Sequence, residues 1–309
     1  DLSDNGTWTH TQDTDVPTGQ GFAKSWKLDN TTADTSVASG SYHLARYLFE
    51  GQDLQLLKKG TSDAEKVTVS FWIKATVTGT YIAELFDVDN SRQISQAYTV
   101  TDSNTWEKKV LSFVADTTGA LGDDNGSSFA VNLWLGAGSD FSSGTLSTTW
   151  TSSTNANRAV GQVNSASSTS NNVYFTGLQM EVGDFNADTM PEFQHESFGD
   201  NLMRCERYCK AITKEVNYGP IMLAHGIDAN TCRGAYFFQT PMRAAPSFAH
   251  TGNIIRSFDT ATALSSSAAV TSRFSISIDW TGSNLFGANE GILLTFNTTA
   301  ASLIYDAEL

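Results

Sequence analysis

The feature that most constrains this chain is a run of strict alternation. Val67, Val69, Phe71 and Ile73 interleave with Thr68, Ser70, Trp72 and Lys74. Successive strand side chains point to opposite faces, so a period of two specifies a β-strand with one face turned to a core. Gly79-Thr80 turns the chain, and residues 81–86 return as the next strand. Asp87, Asp89, Asn90 and Ser91 then supply loop chemistry. Further strand-like runs at 95–101, 106–115, 129–136 and 172–182 are separated by turn clusters, the spacing of a sandwich or jelly roll. Upstream, 21–28 and 42–50 read as strands with weaker periodicity.

Length sets the domain count. A chain of 309 residues predicts two β-domains of roughly 100–200 residues each. A polar stretch at 142–170, rich in Ser, Thr, Asn and Gly, carries Trp150 as its one large apolar residue. An acidic linker with Pro191 follows, and then one short helix is expected near residue 198, capped by Ser197 or Asp200. Leu202, Cys205, Tyr208, Cys209 and Ile212 fall on one helical stripe. The β pattern resumes beyond Asn217-Tyr218-Gly219-Pro220. The expected fold is therefore mainly β: an N-terminal jelly-roll β-sandwich over 1–183, a linker and connecting helix over 184–217, and a C-terminal β-sandwich over 218–309.

The charge balance excludes several functions. Lys and Arg number 19 against 33 Asp and Glu, a formal net charge of −14 with only 17% charged residues. Phosphate neutralisation needs clustered cations, so the composition argues against duplex nucleic acid and no nucleic-acid partner is expected. The acidic surface also argues against anionic membranes, and no apolar run approaches the ~18 residues a membrane span needs. Cys205, Cys209 and Cys232 cannot complete a disulfide framework. They read as reduced, partly buried thiols of a protein assembled in a cytoplasm. The five histidines are scattered and no nucleophile motif occurs, so an enzyme is not expected.

The order of motifs around the join carries a resemblance. Leu178, Glu181, Val182 and Gly183 end a strand, and Ser197, Phe198, Gly199, Leu202, Cys205, Arg207 and Tyr208 follow. This order resembles structural proteins of tailed bacteriophages. Pro241 to Phe248 ("PMRAAPSF") and the closing "DAEL" are similar to the carboxy-terminal parts of phage fibres. The run "VTVSFWIKA" from Val67, with "GTY" and "NTW" beyond it, resembles jelly-roll carbohydrate-binding modules. The resemblance implies a tail or head fibre, located in the virion and assembled in the host bacterial cytoplasm. It also implies a homotrimer that contacts other virion proteins and a host cell-surface glycan. The starting residue, Asp1, fits a chain trimmed of an anchor, and the "DAEL" ending fits a native terminus. Two other readings remain open: a capsid decoration protein, and a carbohydrate-binding module of a secreted glycan-degrading system.

Three groups of residues are candidates for chemistry. Trp72 and Trp134 lie on the strand faces opposite Val69, Phe71 and Ile73 and opposite Val131, Leu133 and Leu135. With Trp150 they form the candidate sugar-stacking rings, because pyranose C–H faces pack on aromatic surfaces. The competing reading is that both faces of each sheet are covered. Asp87, Asp89, Asp123 and Asp124 could supply oxygen ligands to a structural calcium, which the carbohydrate-binding-module resemblance also implies, or serve only as turn residues. The stripe Leu202, Cys205, Tyr208, Cys209 and Ile212 is the expected oligomer contact.

Overall fold

A computed structural model describes residues 2–213, 219–256, 263–297 and 301–308. The domain edge expected between 217 and 218, and the final Leu309 of the "DAEL" ending, lie outside them. The chain packs as two units, Asp1–Gln194 and His195–Leu309.

The first unit holds strands β1 (Leu2–Ser3), β2 (Thr7–Asp13), β3 (Ser25–Thr32), β4 (Tyr42–Glu50), β5 (Val67–Ala75) and β6 (Gly79–Asp87). After them come β7 (Arg92–Val100), β8 (Glu107–Phe113), β9 (Ser127–Ala137), helix α1 (Ser139–Ser142), β10 (Thr151–Ser152) and β11 (Asn172–Val182). They form an antiparallel six-stranded sheet, β1-β4-β9-β6-β7-β10, and a five-stranded sheet, β2-β3-β11-β5-β8. Take the eight long strands β3 to β9 and β11, numbered 1 to 8 in chain order. The sheets then read 2-7-4-5 and 1-8-3-6, which is a jelly roll. The alternation of β5 does what its period dictates. Val69, Phe71 and Ile73 are fully buried against Val131, Leu133 and Leu135 of the facing sheet. Each such side chain contributes roughly 1.5–3 kcal/mol on leaving water.

A bulge in β11 shapes the middle of the five-stranded sheet. The β11–β5 register shifts between Thr176 and Gln179, and Gly177 there has φ 63°. A Cβ at Gly177 would lie 2.5 Å from the Phe22 ring, so only glycine admits both the backbone conformation and that ring.

The second unit contains α2 (Phe198–Glu206), β12 (Cys209–Thr213), β13 (Pro220–Gly226), β14 (Thr231–Phe237) and β15 (Ser247–Thr251). Strands β16 (Ile254–Arg256), β17 (Ser265–Thr271), β18 (Ser275–Thr281), β19 (Gly291–Phe296) and β20 (Ser302–Asp306) complete it. A three-stranded sheet, β12-β20-β15, and a six-stranded sheet, β16-β19-β13-β14-β18-β17, share one core. Leu303 and Tyr305 enter it from the first sheet, and Ile278, Trp280, Ile292 and Leu294 from the second.

The helix starts as its sequence predicts: the Ser197 hydroxyl accepts from the Asp200 N–H at 3.2 Å. It ends earlier than the expected stripe requires. Glu206 is its last residue, and Cys209 opens a strand paired with Asp306. The Arg207 carbonyl accepts from Arg243 N–H and the Tyr208 carbonyl from Ala307 N–H, each at 2.7 Å. Long-range pairing with β20 thus overrides a locally helical pattern. Leu202 and Cys205 sit exposed on the helix, whereas Ile212 packs on the core of the second unit from a strand. The five residues are not one helical face. Cys205 and Cys209 are both exposed and not half-hidden thiols, while Cys232 is buried.

His43 adds a pH dependence. It is fully buried in β4, with its ring 4.5 Å from Trp8, and burial pushes its imidazole down to about 3. The unfolded chain takes up a proton below about pH 6.5 and the folded one does not, so stability falls as pH drops from 6.5 toward 3. The slope is about 1.4 kcal/mol per pH unit, or about 2 kcal/mol between pH 6.5 and pH 5. Urea titrations at both pH values are expected to show that loss, and His43→Asn to remove most of it.

Candidate functional site

The three candidate tryptophans have three different environments. Trp134 is fully buried on the outer face of the six-stranded sheet, in a cluster with Leu44, Ile82 and Ala159. Phe141 and Tyr42 lie against its ring at 5.6 and 6.1 Å. The polar segment beyond β9 folds back over this face, bringing Phe141, Leu146 and Ala159 with it. Trp134 Nε1 donates to Glu84 Oε2 at 3.1 Å. The ring is a core element, and a stacking role for Trp134 is overturned. Trp150 is half-buried at the end of the sandwich, 6.0 Å from the Phe129 ring, and its Nε1 donates to the Val114 carbonyl at 2.8 Å. The Lys59 ammonium lies 5.3 Å from its centroid, so Trp150 closes the core instead of presenting a platform. Only Trp72 keeps a half-exposed place on an uncovered sheet face, opposite Thr176 and Lys108.

The four acids do not converge. Asp87 is fully buried and accepts from Lys59 Nζ and from Asn90 N–H at 2.9 Å. The same ammonium lies 3.0 Å from Asp116 and donates to the carbonyls of Thr118 and Gly119, both at 2.9 Å. An internal lysine therefore supplies the charge a metal would have brought. Asp89 Oδ2 accepts from Gly122 N–H at 2.8 Å and Asp124 Oδ1 from Gly126 N–H at 2.7 Å, both as turn residues, and Asp123 is exposed. Among the described residues no group of three or more His, Cys, Asp or Glu is placed to hold a metal ion.

The structure assembles a different surface at the five-stranded sheet. On its outer face the Tyr174 ring lies between two ammonium groups, Lys27 at 5.7 Å and Lys74 at 5.3 Å. Trp106 meets Tyr174 edge-on at 6.2 Å. Asp15 ties these together: Lys74 Nζ donates to it at 2.5 Å and Trp106 Nε1 at 2.9 Å. The Lys74 bond, then that from Trp106, holds the Asp15 carboxyl below its usual range. Trp72 is beside Lys74 on the same face by strand parity.

A separate groove of about 490 Å³ opens at the β2–β3 edge of the same sheet. His10, Gln12, Trp26 and Phe175 line it with Thr11, Lys24, Ser25 and Thr176. His10 stacks on Trp26 at 5.6 Å, and burial lowers its pKa. Trp26 is half-buried, Phe175 forms a buried floor, and the exposed Gln12 and Lys24 bring polar groups to the rim. Sequence reasoning passed over this groove. Strand β2 alternates Trp8, His10 and Gln12 with threonines, a pattern whose polar members hide the strand signal. Trp26 with Leu28 was the available clue.

No known protein family matches the chain, and no curated protein matches it in sequence. Among solved structures, it is similar to the bacteriophage CBA120 tailspike protein 4 enzymatically active domain, at 14% identity and a TM-score of 0.32. That match covers 58% of this chain and 18% of the other. It is also similar to a structure described as "CBM4 structure and function", at 12% identity and a TM-score of 0.27, covering 56% of this chain and 77% of the other.

The two sheet-face tryptophans should separate cleanly by stability. Trp134→Ala empties a closed site and is expected to cost about 3–5 kcal/mol in chemical denaturation. Trp72→Ala, on an open face, is expected to cost less than about 1 kcal/mol.

Proposed function

We propose that this chain is a glycan-binding component of a bacteriophage virion fibre, and that its first unit holds the sugar. The observation that carries the reading is the groove of His10, Gln12, Trp26 and Phe175 at the edge of the five-stranded sheet. Aromatic walls take the C–H faces of a sugar ring, and Gln12, Lys24, Ser25 and Thr176 offer donors and acceptors to its hydroxyls. The role is passive recognition. The motif order from Leu178 through Tyr208 and the "PMRAAPSF" run support the virion assignment.

Host polysaccharide binding by the full chain tests this. Gln12→Ala and Trp72→Ala, both at open positions, are each expected to weaken binding while the melting curve stays in place. Trp26→Ala is expected to weaken it about tenfold or more, the scale of losing an aromatic anchor. If all three variants bind as the wild type does, the groove is not the site.

The fibre reading also includes self-association, which multiplies weak sugar contacts into avidity. The expected stripe on α2 is not one face, and the second unit offers a better surface. On the outer side of its six-stranded sheet Leu223 is 76% exposed, Phe237 74% and Val270 66%, with Phe274 at 62% beside them. Leu223 faces Leu293 across the sheet, and Phe237 and Val270 face the small Ser275 and Ser277. The nearby charges, Arg233 and Asp279, already neutralise each other at 2.6 and 2.8 Å. Aromatic side chains bury about 150–250 Å² each, so this apolar surface amounts to on the order of 500 Å². An interface needs about 800 Å² per partner, rim included. A further copy of this acidic chain, presenting the same neutral patch, fits it. Light scattering is expected to give a multiple of 33.4 kDa, and Leu223→Asp with Phe237→Asp to give the monomer. A wild-type monomer at micromolar concentration rules the contact out.

A further inference from the structure

A row of polar residues crosses the outer face of the six-stranded sheet in the first unit. Arg46 of β4 pairs with Asn132 of β9, and Asn132 with Glu84 of β6. Glu84 is fully buried, and its charge is met from the covering segment. Arg158 Nε donates to Oε1 at 2.7 Å and Nη2 to Oε2 at 2.9 Å. Asn132 Nδ2 and Trp134 Nε1 add bonds at 2.8 and 3.1 Å. The Arg158 guanidinium also lies over Phe86 at 4.7 Å and Trp134 at 5.2 Å.

One carboxylate neutralises one guanidinium, and a second guanidinium is left over. Arg46 Nε donates to Asn132 Oδ1 at 2.8 Å. Among the described residues no carboxylate stands within ion-pair distance of it, and its two Nη groups make no bond. The side chain is half-buried, between Leu48 on its own strand and the row beside it. Burial, followed by the neighbouring Arg158, lowers the Arg46 pKa, and Glu84, already held by Arg158, offsets only part of that. The row Arg46, Glu84, Arg158 thus carries one net positive charge in a chain whose net charge is −14. A half-buried guanidinium with a free fork matches a planar carboxylate in geometry as well as charge.

We propose that Arg46 anchors a binding site for the carboxylate of an acidic sugar, with its two Nη groups gripping both carboxylate oxygens. The Arg158 guanidinium, whose Nη1 makes no bond among the described residues, adds positive charge nearby. The half-buried Leu48 and Phe86 provide apolar contact for the ring. The choice of a saccharide rests on the glycan reading above; the affinity for a carboxylate does not. The site lies on the opposite sheet from the Trp26 groove, so the two can fail separately.

Calorimetry on the full chain with a tri-uronate decides it. The tri-uronate is expected to bind at least about tenfold more tightly than its neutral methyl ester, and Arg46→Gln to abolish that preference. Trp26→Ala is expected to leave the preference intact. A tri-uronate that binds wild type and Arg46→Gln equally overturns the proposal, whatever Trp26→Ala does. Acetate or inorganic phosphate binding as tightly as the tri-uronate overturns it too, because the site would then be for small anions. Should Arg46→Gln not fold, Arg46→Lys keeps the charge without the fork. It is expected to weaken binding about tenfold, and unchanged affinity would count against the site.

Discussion

Glu84 is an ionisable side chain at zero exposure in the middle of a sheet, and the layering of the first unit follows from how its charge is met. A buried carboxylate without a partner costs several kcal/mol, and removing one member of such a pair typically costs about 3–5 kcal/mol. The partner is Arg158, which comes from the Ser/Thr/Asn-rich segment far along the chain. That segment has little apolar surface of its own. The fork to Glu84 fixes it over the sheet, and Phe141, Leu146 and Ala159 then close over Trp134. The outer face of the six-stranded sheet becomes a third packed layer, and its aromatic ring is withdrawn from solvent. On the five-stranded sheet Trp72, of the same parity, stays half-exposed.

Lys59 repeats the arrangement at the end of the sandwich. It is nearly buried, and it neutralises Asp87 and Asp116 while two loop carbonyls take its remaining N–H groups. Arg92 adds a fork to Asp116 at 2.7 and 2.9 Å. Two carboxylates against two cations leave no net charge for a divalent ion to satisfy. An acidic chain can bury acids in this way because its few cations are placed where they are needed.

Much of this fold was legible in sequence, for a local reason. Strand parity is a property of adjacent residues, so Val69, Phe71 and Ile73 announced the core face without reference to anything distant. The capping of α2 by Ser197 is equally local. What could not be read was coverage. Trp72 and Trp134 have the same parity, and they differ because a segment running from Phe141 to Ala159 folds back over one of them. Cys209 fails for the same reason: its spacing from Cys205 is helical, but β20 claims its backbone. The groove was hidden differently, since His10 and Gln12 on an edge strand resemble loop polarity until Trp26 and Phe175 are placed behind them.

The separation of surfaces has a physical consequence for binding. The sugar-facing candidates all lie in the first unit, and the exposed apolar sheet face of Leu223, Phe237 and Val270 lies in the second. For a sugar held as proposed, an open groove with a few aromatic contacts gives modest affinity, since most of a ring's hydroxyls stay solvated. Holding several copies together through the other unit raises occupancy without altering any groove. The two tasks then tolerate change independently. In the proposed arrangement, substitutions around Gln12 or Arg46 change the sugar sites while the Leu223 face is untouched, because no side chain serves both.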